Sequence, residues 1–312
     1  MNKFLVTGGA GFIGSNICRK LVSQGCFVRV LDNLLTGKKR NLAGIIDQIE
    51  FVEADMGDWQ TARAAMKDID VVLHQGALPS VPRSVDDPAL THQHCVDATF
   101  TLLMAARDAG VKRFVYAASS SAYGDAPSSP KVETMAPNPL SPYAVGKLVG
   151  EYYCSVFSKV FGLETISLRY FNVFGPHQDP ASQYAAAIPA FVTAILKNQP
   201  PTIYGDGEQS RDFTYIDNVV EANLLASRTE RTSGEVINIA CGDAITVNAI
   251  IDMINRQLGQ NVKPTYAPAR PGDVKHSLAD ITLARKLIGF KPTVQFREGL
   301  ERAIDWYRKN LV

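Results

Sequence analysis

A chain of 312 residues, 46% of them hydrophobic, is long enough for one large α/β domain or for two units sharing a cleft. With 32 Lys and Arg against 31 Asp and Glu, the formal net charge is +1, so bulk charge gives no basis for a nucleic-acid or membrane-surface partner. Five cysteines (Cys18, Cys26, Cys95, Cys154, Cys241) are scattered, odd in number and without metal-ligand spacing, which points to buried small hydrophobes in a reducing cytoplasm. No apolar run approaches the ~18 residues of a spanning helix, and MNKFLVTGG passes directly into an apolar strand and a glycine turn, unlike a signal peptide.

In chain order, KFLVTG is the first predicted strand. It runs into TGGAGFIG (Thr7 to Gly14), which opens the helical stretch SNICRKLVSQG. Gly8 permits a tight turn, Gly11 lets backbone approach a pyrophosphate and Gly14 lets helix pack on strand. Phe12 and Ile13 bring the first amides of the helix to the phosphates. The second strand, FVRVLD, ends in Asp32, followed by Asn33, where a carboxylate can accept from ribose hydroxyls and would repel a 2′-phosphate. NAD is favoured over NADP, although Lys38, Lys39 and Arg40 in the next loop leave the second cofactor open. IEFVEAD closes on Asp55 and Met56, placed to meet the adenine, and DVVLHQGA closes on Gln75 and Ala77, where small residues let a cofactor lie close.

The stretch ALTHQHCVDATFTLLMAARDAG reads as one amphipathic helix, and RFVYAASSS as a fifth strand ending in Ser119, Ser120 and Ser121. SPYAVGK then places Tyr143 and Lys147 at i and i+4, on one helix face, after the start signals Ser141 and Pro142. An ammonium beside a phenol favours the phenolate, so this pair is a candidate base, with an ordinary surface Tyr and Lys as the competing reading. TISLRYFNVFG is the sixth predicted strand. Doubly apolar strands alternating with helices imply an α/β fold, a doubly wound parallel sheet of Rossmann type. Residues 1–175 form the expected cofactor unit. A smaller mixed α/β substrate unit is expected over 176–312, where Pro and Gly become frequent, with a segment near 213–240 returning to the sheet.

The glycine turn, Y-x-x-x-K and the serine-rich end of the fifth strand together resemble the extended short-chain dehydrogenase/reductase superfamily. Arg169 to Pro176 (RYFNVFGP), Ser210 to Phe213 (SRDF) and Arg270 to Asp273 (RPGD) narrow the resemblance to the UDP-hexose 4-epimerases. It implies that Asn172 meets the diphosphate side of the substrate, Arg211 and Arg270 meet phosphate, and Asp273 meets the uridine ribose. A guanidinium fork suits phosphate oxygens, whereas either arginine alone would more simply be a surface ion pair. Asp97 stands where that family has Asn near the cofactor, and a buried carboxylate there would need a partner.

The resemblance further implies NAD-dependent, reversible 4-epimerisation through a 4-keto sugar. Tyr143, ionised by Lys147 and by the cationic nicotinamide, would be the base, and Ser119 would hold the same oxygen. LPSVPRS (78–84), AASSSAYG and GDVKHS resemble the subgroup acting on UDP-N-acetylglucosamine and UDP-N-acetylgalactosamine, with Ser277 leaving room for the acetamido group. UDP-glucose and UDP-galactose are further possible substrates. A hexuronic acid 4-epimerase, with Arg83 as the cation near C6, a nucleotide-sugar reductase and a non-enzymatic NAD-sensing regulator are the alternatives. A 4,6-dehydratase would need acidic residues beside the fifth strand's hydroxyls, and SSSAYG has none. The resemblance also implies a cytoplasmic homodimer packed through the helix that carries Tyr143.

Overall fold

The computed structural model describes residues 2–180, 187–269 and 275–311. Its centre is a seven-stranded sheet of β1 (Lys3–Thr7), β2 (Phe27–Asp32), β3 (Glu50–Glu53), β4 (Val71–His74), β5 (Arg113–Ser119), β6 (Glu164–Tyr170) and an edge strand, Glu235–Ile239. Across the sheet the order is Glu235–Ile239, β6, β5, β4, β1, β2, β3, and every neighbour pair is parallel. Along β1, Phe4 and Val6 enter one apolar core while Leu5, between them, enters the other. That alternation with both faces apolar is what a sheet covered on both sides requires. The strand order reverses between β1 and β4, so the crevice opens at the carboxyl ends of these two strands.

Two elements differ from the sequence expectation. TISLRYFNVFG is not one strand: β6 ends at Tyr170, Asn172 takes φ +35°, and Val173–Phe174 pairs instead with Thr214–Tyr215. Asn172 Nδ2 donates to the Asp212 carbonyl at 2.9 Å, so the break is where the chain leaves the sheet for the second unit. The stretch after residue 87 is likewise broken, into helix Pro88–His92, a π turn over Gln93–Asp97, and helix Ala98–Asp108.

The helix Pro142–Phe161 is capped by Ser141, whose Oγ accepts from the Ala144 amide at 3.2 Å, and it ends on Gly162 in the left-handed region. A Cβ at Gly150 would lie 2.2 Å from the Tyr116 hydroxyl, so only glycine lets this helix sit down on β5. Behind it, Arg169 on β6 grips Glu151 with two hydrogen bonds of 2.8 and 2.7 Å, both side chains almost fully buried. This buried fork ties the helix carrying Tyr143 to the sheet.

Beyond β6 the chain builds small sheets. Ser210–Asp212 pairs with Ala244–Thr246 and with His276–Ser277, and Thr202–Tyr204 pairs with Thr265–Ala267. Asp212 is fully buried and accepts from the amides of Cys241 and Gly242 at 3.0 Å and of Ala279 at 3.3 Å. Desolvation raises its pKa to about 6 against those three hydrogen bonds. It joins three distant segments through their backbones.

Candidate active site

The crevice holds a cavity of about 640 Å³ lined by both ends of the expected machinery. At one end is the glycine turn. A Cβ on Gly14 would lie 2.2 Å from the Gly8 carbonyl oxygen, and one on Gly8, at φ +65°, would lie 2.7 Å from the Gly76 backbone. The first helix, Phe12–Ser23, has Gly11 as its N-cap with no side-chain cap and no acidic residue in its first turn. Its leading amides are therefore available to an anion. This cradle fits a dinucleotide pyrophosphate.

Asp32 lines the same cavity. Its Oδ2 accepts from the Ala10 amide at 2.9 Å and its Oδ1 from Leu34 at 2.8 Å; burial raises its pKa against these two bonds. The basic residues that could welcome a 2′-phosphate are engaged elsewhere: Lys38 with Asp179, and Lys39 with Glu53 at 3.8 Å and over the Phe51 ring. Protein denatured after purification should therefore release NAD(H) and not NADP(H), as chromatography of the extract would show; predominant NADP would refute this reading of Asp32.

Gly8, Gly11, Phe12, Ile13, Gly14, Asp32, Asn33, Met56, Gln75 and Ala77 all line the cavity, as do Arg83, Tyr143 and Lys147. Asp55 does not: its carboxylate accepts from Asn33 Nδ2 at 3.1 Å and from the Gly57 amide at 2.7 Å, so it acts on the adenine end only through Asn33. Gln75 belongs to a buried relay, donating to Asn223 at 3.0 Å and accepting from the Tyr170 hydroxyl at 3.2 Å. Nothing in the local sequence announces Asn223 or Tyr170 as its partners, because the three meet only through the sheet.

At the other end, Lys147 Nζ donates to the Ala117 carbonyl at 2.8 Å and lies 6.0 Å from the centre of the Tyr143 ring. Burial, with a contribution from the Cys95 thiol, pushes the Tyr143 phenol well up, while its hydrogen bond with Ser119 acts the other way. Burial also lowers the Lys147 ammonium. The expected ionisation of Tyr143 by Lys147 is thus corrected: the lysine's hydrogen bond goes to the backbone of β5, and any field it exerts on the phenol acts across the ring. Ser119 Oγ in turn accepts from the Ser121 amide at 3.2 Å and the Ser121 hydroxyl at 2.8 Å, which fixes its orientation. Ser119, Ser120 and Ser121 stand at the end of β5 and the short turn after it, at the rim of the cavity wall formed by Ala117 and Ala118.

Asn172, Arg211 and Ser277 do not line this cavity. They lie in the second unit or at its junction, and Ser277 stands directly opposite Arg211 in the register of the paired strands. Arg211 donates to the carbonyls of Ser210 and Lys275 at 2.9 Å. Arg270 and Asp273 lie outside the described residues. Asp97 is exposed on the outer side of the π turn, 3.6 Å from His92, so no buried carboxylate needs a partner there. His94 faces the cavity instead, a position the sequence reading passed over.

A parallel sheet with a glycine cradle at its switch point, and a tyrosine, lysine and serine at the far end of the same cleft, defines a dinucleotide-dependent enzyme that handles an alcohol or carbonyl. The chain belongs to the NAD dependent epimerase/dehydratase family, whose model matches residues 4–240. It superposes with TM-score 0.94 on the UDP-N-acetylglucosamine 4-epimerase from Methanobrevibacter ruminantium in complex with UDP-N-acetylmuramic acid (40% identity, covering 99% of this chain and 98% of that one). The UDP-glucose 4-epimerase from Thermotoga maritima with UDP-glucose gives TM-score 0.95 at 37% identity over the whole of both chains. The Thermus thermophilus UDP-glucose 4-epimerase in complex with NAD gives 0.91 at 35% identity, covering 99% of each.

Proposed function

We propose that this enzyme is a UDP-sugar 4-epimerase with firmly held NAD, and that UDP-N-acetylglucosamine and UDP-N-acetylgalactosamine are its preferred pair. The observation that carries the reading is one cavity that holds both the glycine cradle and Tyr143, with Ser119 hydrogen-bonded to that tyrosine. Gly8, Gly11, Gly14 and Asp32 would hold the cofactor, which when bound supplies a hydride acceptor and a positive charge beside the phenol. Tyr143 takes the proton of the sugar's C4 hydroxyl on its Oη and returns it after the ketone has turned over. Ser119, itself fixed by Ser121, holds the same oxygen in line. Arg211 faces the nucleotide diphosphate and keeps it clamped while the sugar rotates. Incubating the purified protein with UDP-sugars, without added cofactor, should interconvert the C4 epimers; no interconversion of any UDP-hexose would end this reading.

Ser277, paired with Arg211, is the residue we assign to the wall around the C2 substituent. Serine leaves the acetamido group space that a larger side chain would fill. Ser277→Tyr should cut turnover of the N-acetylated pair by about 100-fold or more, the steric cost of overlap, while UDP-glucose and UDP-galactose remain substrates. Retained N-acetyl activity in that variant would remove Ser277 from the gate.

The functional unit in this reading is a homodimer. Along the helix Pro142–Phe161, Val145, Tyr152, Val156 and Val160 form an exposed apolar stripe at 46–66% exposure, with Phe100 of the neighbouring helix beside it at 40%. A stripe of that spacing suits a symmetric helix-to-helix contact.

A further inference from the structure

The π turn at Gln93–Asp97 inserts one residue into a helix and so turns three successive side chains inward: His94, Cys95 and Val96 are all buried, and Asp97 is not. His94 is only 7% exposed, yet it lines the cavity, and its ring makes no hydrogen bond to another described residue. A buried imidazole with no protein partner, facing a cleft, is an unspent hydrogen-bonding group. Its place in the cleft is set by its neighbour: Cys95 lies against Leu78 on one side and Gly146, in the Tyr143 helix, on the other. The short helix Val81–Asp86, which brings Arg83 to the same cavity, packs on that helix as well. It starts from Ser80, a non-glycine residue at φ +113°, a strained conformation retained where the chain turns into the cleft.

The charges around this wall are one-sided. The two carboxylates that line the cavity are Asp32, taken by the Ala10 and Leu34 amides, and Asp179, paired with Lys38. The Tyr143 end has Lys147, Arg83 and His94, with no opposing acid among the described lining residues. The pyrophosphate cradle lies at the glycine turn, and Arg211 lies in the second unit outside this cavity, so neither diphosphate accounts for this donor-rich wall. We propose that His94, with Arg83 beside it, forms a subsite for a carboxylate on the sugar ring, so that the enzyme accepts an N-acetylated UDP-uronic acid as well as the neutral sugar. The proposal rests on the 4-epimerase reading. An N–H from imidazole and a guanidinium fork are suited to carboxylate oxygens, and a neutral hydroxymethyl group would leave most of that capacity unused.

The test compares UDP-N-acetylglucosamine with UDP-N-acetylglucosaminuronic acid, which differ only at C6, in the NAD-loaded wild type, His94→Phe and His94→Gln. Wild type should convert the acid with kcat/KM at least equal to that of the neutral sugar. His94→Phe should lower kcat/KM for the acid by about tenfold or more, through KM, and change the neutral sugar by less than about threefold, with NAD retained. His94→Gln, which keeps a donor, should recover part of the loss and serves if the Phe variant does not fold. Conversion of the neutral sugar but not of the acid, or an equal loss on both substrates, would overturn the subsite while leaving the epimerase. Conversion of neither would overturn the epimerase reading and the subsite with it.

Discussion

Tyr143→Phe is expected to fold, keep its NAD and lose epimerisation by roughly 10² to 10⁴-fold, about 3 to 5 kcal/mol in the barrier, because the group that accepts the proton is gone. Packing changes little: the ring stays on a helix held by Ser141 at its start, Gly150 against β5 and Glu151 against β6. The hydroxyl removed is the one that Ser119 addresses. Since burial alone keeps this phenol protonated, its ionisation has to come with the loaded cofactor. Ultraviolet difference spectra of loaded and stripped wild type should therefore show phenolate only in the loaded form, and the Phe variant should lack that signal. Turnover near the wild-type rate in the Phe variant would remove Tyr143 from the chemistry, whatever the spectra show.

Glu151→Leu should be the most destabilising single change outside the cleft. It leaves Arg169, 3% exposed, as an unpaired buried cation, and breaking such a pair costs about 3–5 kcal/mol. Urea denaturation should show a large fall in midpoint at unchanged slope. The double variant Glu151→Leu with Arg169→Met should regain most of it, since the lost pair is then replaced by apolar contacts and no orphan charge remains. A single variant as stable as wild type would mean that the fork holds nothing. The guanidinium also lies over the Tyr123 ring at 4.5 Å, so the double variant tests that contact too.

What can be read from this sequence follows the range of the interactions involved. The glycine turn, Asp32 and the Tyr143–Lys147 pair are legible because a few neighbouring residues determine each of them: a turn that needs glycine, a strand end, and an i, i+4 spacing. All of them line one cavity. The break at Phe171–Asn172 is hidden because RYFNVFG is apolar throughout, and what ends β6 is pairing with Thr214–Tyr215, distant in sequence. The π turn is hidden because QHCVD fits helical periodicity as well as its surroundings do, so His94 emerges only when the helix is seen to be overfilled. Asp212 reads as half of an Arg-Asp motif, yet its partners are three backbone amides far along the chain. The role given to Lys147 needed a distance: spacing brings it to the face of Tyr143 but does not say that its ammonium prefers the Ala117 carbonyl.

The edge strand Glu235–Ile239 bears on how this enzyme could be recombined with its relatives. The chain leaves the sheet after β6, builds strands of the second unit, and then returns to lie in register on β6, Glu235 beside Ile166 through Ile239 beside Tyr170. A fragment ending near residue 175 would present the whole of β6 as an open edge, a template for intermolecular pairing. Exchange of substrate-recognition segments between relatives therefore needs two crossover points, one after β6 and one on either side of the returning strand. A single-junction hybrid would mate each parent's β6 with a foreign seventh strand, and its solubility would report on that mismatch before its specificity could be assayed.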